Sequence, residues 1–329
     1  MKPLVVHLIG DKLPGGSNFY VERLVNSELK QKYEFNVATL EEFQAIAREK
    51  RPDLIVFHYP CKWRYLIQLI SLKSCAKLII LDHHYCQGFE LDSVATLWRF
   101  HLMLKLAYAI ADRLICVSQA QKEWVLARRL VAPQKVRVLP ISVSGAATIE
   151  DLLEIPPKNP SKPLVLGAYG RFAYQKGFDI LLDAIALLPA TDFFLYLGGY
   201  GFEADALRES ASKLPNVKLV GAVKDVPSFL AMCDAIVIPS RWETGSIVCL
   251  EAKAAAKPII ASNIDTFPNL IGESGLLVPP NDVSALANAI ASLPEQDLTG
   301  WGQAARESTI GSWQEFLTNW ENLLQEVLS

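Results

Sequence analysis

Leu166-Gly167-Ala168-Tyr169-Gly170-Arg171-Phe172-Ala173-Tyr174-Gln175-Lys176-Gly177-Phe178-Asp179 reads as the end of a strand, a basic glycine-rich turn and the start of a helix. Outward from it, short apolar runs recur with helical patterns between them. Before it stand Leu4 to Ile9, Phe35 to Ala38, Leu54 to Phe57, Leu78 to Leu81, Leu114 to Val117 and Val136 to Leu139. From the quoted strand onward come Leu164 to Ala168, Phe193 to Leu197, Val217 to Val220, Ala235 to Ile238, Ile259 to Ala261 and Leu276 to Val278. Apolar strands separated by helices predict parallel sheets covered on both faces. Between the two series, Ile141 to Pro163 carries Ser, Gly, Pro-Pro and Asn-Pro and breaks the rhythm. The expectation is an α/β chain of two doubly wound, Rossmann-like domains facing across a cleft, residues 1–145 and 163–310, joined by a linker over 146–162. After Pro294 only helical signals remain, with Trp301, Trp313, Phe316, Trp320 and Leu324 in one apolar stripe, and residues 311–329 are expected to form a helix bracing both domains.

Composition narrows the function. The chain has 329 residues, 51% hydrophobic and 20% charged, which suits large cores and excludes disorder or a small disulfide scaffold. The net charge of -3 excludes a nucleic-acid coat, but it is unevenly spread. The first 150 residues carry 20 Lys and Arg against 14 Asp and Glu, the remainder 12 against 21. The six cysteines form no CxxC pair and sit mostly in apolar runs, so reduced core thiols and a cytoplasmic location are expected.

In the quoted turn, backbone amides and a helix start converge with Arg171 and Lys176, an arrangement suited to a diphosphate; a solvated loop with scattered charge is the competing reading. It is neither a Walker loop nor a GxGxxG fingerprint. A second strand-loop-helix unit, Val237 to Ala252, carries Glu243 in the loop and Glu251 on the helix, with the amides of Thr244, Gly245, Ser246 and Ile247 at the helix start. A carboxylate at 251, among Cys249, Leu250 and alanines, is costly unless its hydrogen bonds are taken up. Asp225 reads as the N-cap of a helix starting at Val226. Gly15 and Gly16 follow the first strand, and His83 and His84 follow the fourth. The His-His-Tyr-Cys cluster lacks a nearby fourth ligand, so no metal is expected there.

Taken together, G-R-F-x-x-x-K-G-F-D, P-S-x-x-E-x-x-x-x-x-x-x-E-A-x-A, K-P-I-I-A-S and G-L-L-V-P-P-N-D, in this order, resemble the GT-B glycosyltransferases of the large retaining family that includes sucrose synthases and phosphatidylinositol mannosyltransferases. The resemblance covers residues 162 to 292 well and the first domain in outline. It implies a GT-B fold and transfer of a sugar from a nucleotide sugar to an acceptor hydroxyl, with retention, no cofactor and no metal. It places Arg171 and Lys176 on the donor diphosphate, Glu251 on the ribose hydroxyls and Glu243 on the donor sugar. It further places Val223 at the base, Gly15 and Gly16 over the phosphates and His83 beside the sugar. Thr244-Gly245-Ser246 departs from the family's Gly-Phe-Gly run, and Pro140 to Gly145 from its Pro-Asn-Gly hinge. These departures leave a non-catalytic nucleotide- or glycan-binding protein, or a hydrolase or epimerase, as rival readings. The chain has no Asp-x-Asp motif, consistent with metal-independent chemistry.

The acceptor stays open between a soluble or protein-linked glycan, placed first, and a lipid-linked one. Residues 62–77 and 98–105 mix aromatics, aliphatics and cations in a way that suits peripheral contact with the inner face of an anionic membrane. The competing reading packs Leu66, Ile67, Leu69 and Ile70 on a sheet.

Overall fold

The computed structural model describes residues 2–10, 16–142, 148–156 and 160–329, with the side chains of 16 and 17 excepted. Gly15 and positions 143–145 of the hinge segment lie outside the described residues. The chain divides into two units, residues 1–144 with 313–329, and residues 145–312.

Each unit is built on a six-stranded parallel sheet. In the first, β1 (Leu4–Leu8), β2 (Glu34–Ala38), β3 (Leu54–Phe57), β4 (Lys77–Asp82), β5 (Arg113–Cys116) and β6 (Val136–Val138) lie in the order β2-β1-β3-β4-β5-β6. The strand period of two sends Ile55 and Phe57 to one core and Leu54 and Val56 to the other. Helices Leu66–Cys75 and Leu97–Ile110 cover the first face; helices Gly16–Asn26 and Ser312–Leu328 cover the second.

In the second unit, β7 (Leu164–Arg171), β8 (Phe193–Tyr200), β9 (Val217–Gly221), β10 (Ala235–Ile238), β11 (Ile259–Ser262) and β12 (Gly275–Val278) lie in the order β12-β11-β10-β7-β8-β9. All twelve strands overlap the runs read from the sequence. The strand order reverses between β1 and β3 in the first sheet and between β7 and β10 in the second, and ligands of doubly wound sheets bind beyond the carboxyl ends of such strands.

The C-terminal stripe differs from expectation. Trp301 lies on a separate helix, Leu298–Glu307, and packs against the second core. After Gly311, at φ 78°, the chain starts the helix Ser312–Leu328, whose buried Phe316, Leu317, Trp320, Leu323, Leu324 and Val327 all join the first unit's core. The helix drawn from the sequence as a brace for both domains spends its buried stripe on the first. Trp320 is fully buried and donates Nε1–H to the Tyr20 hydroxyl at 2.8 Å. Each such large side chain contributes about 1.5–3 kcal/mol of burial. Five of the six cysteines are buried and Cys75 is half-buried; all are free thiols. Among the described residues no helix is long and apolar enough to cross a membrane.

Candidate functional site

The two strands flanking the reversal in the second sheet deliver the two segments singled out above. At the end of β7, Arg171 is exposed, and the chain turns through 174–176 into the helix Phe178–Ala186. Gly177 makes that turn at φ 64°, and a Cβ there would lie 2.1 Å from the Pro239 carbonyl oxygen, so only glycine lets the turn approach the end of β10.

Beyond β10, Lys176 Nζ forms a largely buried ion pair with Glu243 Oε1, and Ser240 Oγ donates to the same oxygen at 3.1 Å. The Glu243 amide donates to Asp265 at 3.1 Å. The sequence assigned Lys176 and Glu243 to different parts of a donor; the structure brings them together. Lys176 can hold Glu243 and still offer donors elsewhere, because an ammonium has three. Ser246 caps the helix Ile247–Ala254 by accepting from the Cys249 amide at 3.3 Å, and Thr244 and Ser246 are buried beside Gly245 and Ile247.

Glu251, on that helix, is 3% exposed and accepts from the Tyr169 hydroxyl at 2.7 Å. Burial, with Glu251 beside it, pushes Tyr169 well above the ordinary tyrosine range, so the phenol remains a donor. Val223 crowds Gly198, where a Cβ would meet its Cγ2 at 2.3 Å, and so sits over β8 near the same end of the sheet. Asp225 is the N-cap expected from the sequence, accepting from the Ser228 amide at 3.0 Å.

Arg241, which the sequence reading passed over, joins the two segments. Its guanidinium meets both Asp179 oxygens at 2.6 and 3.0 Å, donates to the Tyr174 carbonyl at 2.6 Å and to Asn281 at 2.9 Å, and lies 3.9 Å over the Tyr174 ring. Desolvation is the largest single influence and opposes its charge, but the hydrogen bonds to Asp179 and the attraction of Asp179 and its neighbours together outweigh it and raise the pKa. This bidentate clamp fixes the Lys176 turn against the Glu243 loop.

In the first unit, Gly16 begins the helix Gly16–Asn26 that follows β1. His83 sits in a turn shaped by Asp82, whose Oδ1 accepts the His84 and Tyr85 amides at 2.7 and 3.1 Å. Gln121 pins the same turn through the carbonyls of Asp82 and Tyr85. Behind His83 lie two histidines that the sequence reading did not use. His83 Nε2 is 3.0 Å from His58 Nδ1, and His58 Nε2 is 2.9 Å from His7 Nδ1. Burial lowers His7 and His83 to about 3 and carries His58 well below the usual range, so all three are neutral at pH 7. Among the described residues no cluster of three or more His, Cys, Asp or Glu could hold an ion.

Two family models match the chain: "Glycosyltransferase Family 4" over residues 5–144 and "Glycosyl transferases group 1" over residues 163–296. A curated relative is the lipopolysaccharide core biosynthesis mannosyltransferase LpsB of Rhizobium meliloti, 32% identical over 149 residues, which are 41% of this chain and 42% of LpsB. This chain thus aligns with under half of that relative's length. Among solved structures, the sucrose-phosphate synthase of Thermosynechococcus elongatus superposes with a TM-score of 0.80 at 21% identity over 99% of both chains. Anabaena HepE, in complex with UDP-glucose, gives 0.73 at 19% identity, again over 99% of both chains.

Proposed function

Since the chain belongs to the family 4-like glycosyltransferases of the GT-B fold, we propose that it moves a sugar from a nucleoside-diphosphate donor to an acceptor hydroxyl, with retention and without a metal. One observation carries this reading: the buried Lys176–Glu243 pair and the buried Glu251 stand on the loops and helix that follow the two strands at the reversal of the second sheet. Arg171 and Lys176, with the amides at the start of the helix Ile247–Ala254, would oppose the charge that develops on the departing diphosphate. Glu251, whose Oε2 accepts from the Tyr169 hydroxyl, would take the ribose hydroxyls. Val223 would close over the base and Glu243 would accept from a sugar hydroxyl, while Gly16 and His83 keep the roles that the family resemblance implies for them. LpsB is a mannosyltransferase and HepE was crystallised with UDP-glucose, so GDP-mannose and UDP-glucose head the donor panel to be assayed with and without acceptor alcohols. Turnover is expected only with an acceptor present, at a rate unchanged in EDTA. Donor consumption without acceptor would favour a hydrolase, loss in EDTA reversed by Mg or Mn would overturn metal independence, and no turnover across the panel would favour a binding protein.

The acceptor is proposed to be presented at an anionic lipid surface. Eight of the fourteen exposed large hydrophobic side chains among the described residues fall between positions 63 and 106, including Ile67 at 80% and Trp98 at 67%. The packing reading holds for Leu66 and Leu69, which pack into the core with Leu72, but not for Ile67 and Ile70, which face out. On the neighbouring helix Leu97–Ile110, Trp98, Leu102 and Leu106 recur at a spacing of four on the exposed side, flanked by exposed Arg99 and Lys105. Neither this helix nor Leu66–Cys75 contains an acidic residue. An apolar stripe edged by cations suits a bilayer interface, each cation contributing about 1 kcal/mol near anionic lipid. The protein is expected to sediment at low salt with phosphatidylglycerol vesicles and not with phosphatidylcholine vesicles. Trp98→Ser with Arg99→Glu and Lys105→Glu should weaken this at least about tenfold, and a wild type that stays in the supernatant would remove the lipid surface.

A further inference from the structure

His7 on β1, His58 after β3 and His83 after β4 come from three adjacent strands and form a row, with ring centroids 5.2 and 5.3 Å apart. A neutral imidazole carries one N–H, so each hydrogen bond in the row fixes the tautomer of the next ring. The protons can run only two ways. If they point inward, His7 carries its proton on Nε2, a buried atom with no hydrogen-bond partner among the described residues, beside the rings of Phe35 and Trp320. A buried N–H without an acceptor is rare in folded proteins. If they point outward, His7 Nδ1–H donates to His58 Nε2 and His58 Nδ1–H donates to His83 Nε2, and every N–H within the row has its acceptor.

We propose that His7 and His58 are positioning residues that lock His83 in the Nδ1–H tautomer, so that its ring nitrogen outside the row is a hydrogen-bond donor and not an acceptor. The kinetic part of this inference rests on the glycosyl-transfer reading; the tautomer does not. The test uses the full chain labelled with 15N-histidine at pH 7.5, with the His83 ring signals assigned by their loss in His83→Gln. The wild type should show a protonated, pyrrole-type Nδ1 and a pyridine-type Nε2 at His83. In His58→Phe, His83 should shift towards the Nε2–H form, and kcat should fall at least about tenfold while the donor KM stays within about twofold. A wild-type His83 protonated on Nε2 would overturn the proposal, as would His58→Phe with unchanged shifts and kcat. The wild-type spectrum decides the tautomer even where His58→Phe fails to fold. Absence of wild-type turnover would count against glycosyl transfer alone.

Discussion

Lys176→Met is expected to destabilise the protein by about 3 kcal/mol, the usual cost of removing one partner of a buried ion pair and leaving the other charge uncompensated. Glu243 is buried and, with Lys176 gone, keeps on its paired oxygen the neutral Ser240 hydroxyl. Adding Glu243→Gln removes the stranded charge, so the double variant should regain most of that stability in urea melts of the full chain. Turnover should behave differently. Loss of a charge-assisted hydrogen bond to the donor is worth about 1.5–3 kcal/mol, at least tenfold in rate, and the double variant still lacks the ammonium. Stability that returns while kcat/KM stays at least tenfold down separates the two roles. A double variant that recovers both would reduce Lys176 and Glu243 to scaffolding.

What the sequence disclosed follows the range of the forces involved. The strands were legible because a strand covered on both faces must be apolar at every position, as Leu54–Phe57 is, and no distant residue can alter that signal. The Asp225 cap was legible because capping acts over three residues. The ordered motifs singled out the charges at 171, 176, 243 and 251, of which the structure pairs 176 with 243 and buries 251. Their partners were not legible. Arg241 reaches Asp179 across 62 positions and Tyr169 reaches Glu251 across 82, and nothing local distinguishes those residues from surface charge or core aromatics. The C-terminal stripe was visible as a stripe, but its destination depends on where the chain turns after Leu298–Glu307. His7 and His58 were missed because each sits in or beside an apolar strand, where a single histidine looks like a tolerated core residue until the strand order sets the two beside His83.

That burial has a price in acid. His7 is fully buried and titrates at about 3 in the folded chain, against about 6.5 when unfolded. A group whose folded pKa is depressed contributes stability above its unfolded pKa, and this is lost as the pH falls, because the unfolded chain then takes up a proton that the folded one refuses. Between pH 6.5 and 5.0 the loss for one such imidazole is about 2 kcal/mol, at 1.36 kcal/mol per pH unit. His58 and His83 shift in the same direction and add to it. Urea melts of the wild type are therefore expected to lose several kcal/mol between pH 7.5 and 5.0. His7→Phe, which puts an uncharged ring beside Phe35 and Trp320, should start less stable at pH 7.5 for want of the bond to His58. Its loss over the same interval should be smaller by about 2 kcal/mol, and because carboxylates titrate alike in both chains, the difference isolates His7. Equal losses in the two proteins would mean that His7 accepts a proton in the folded state.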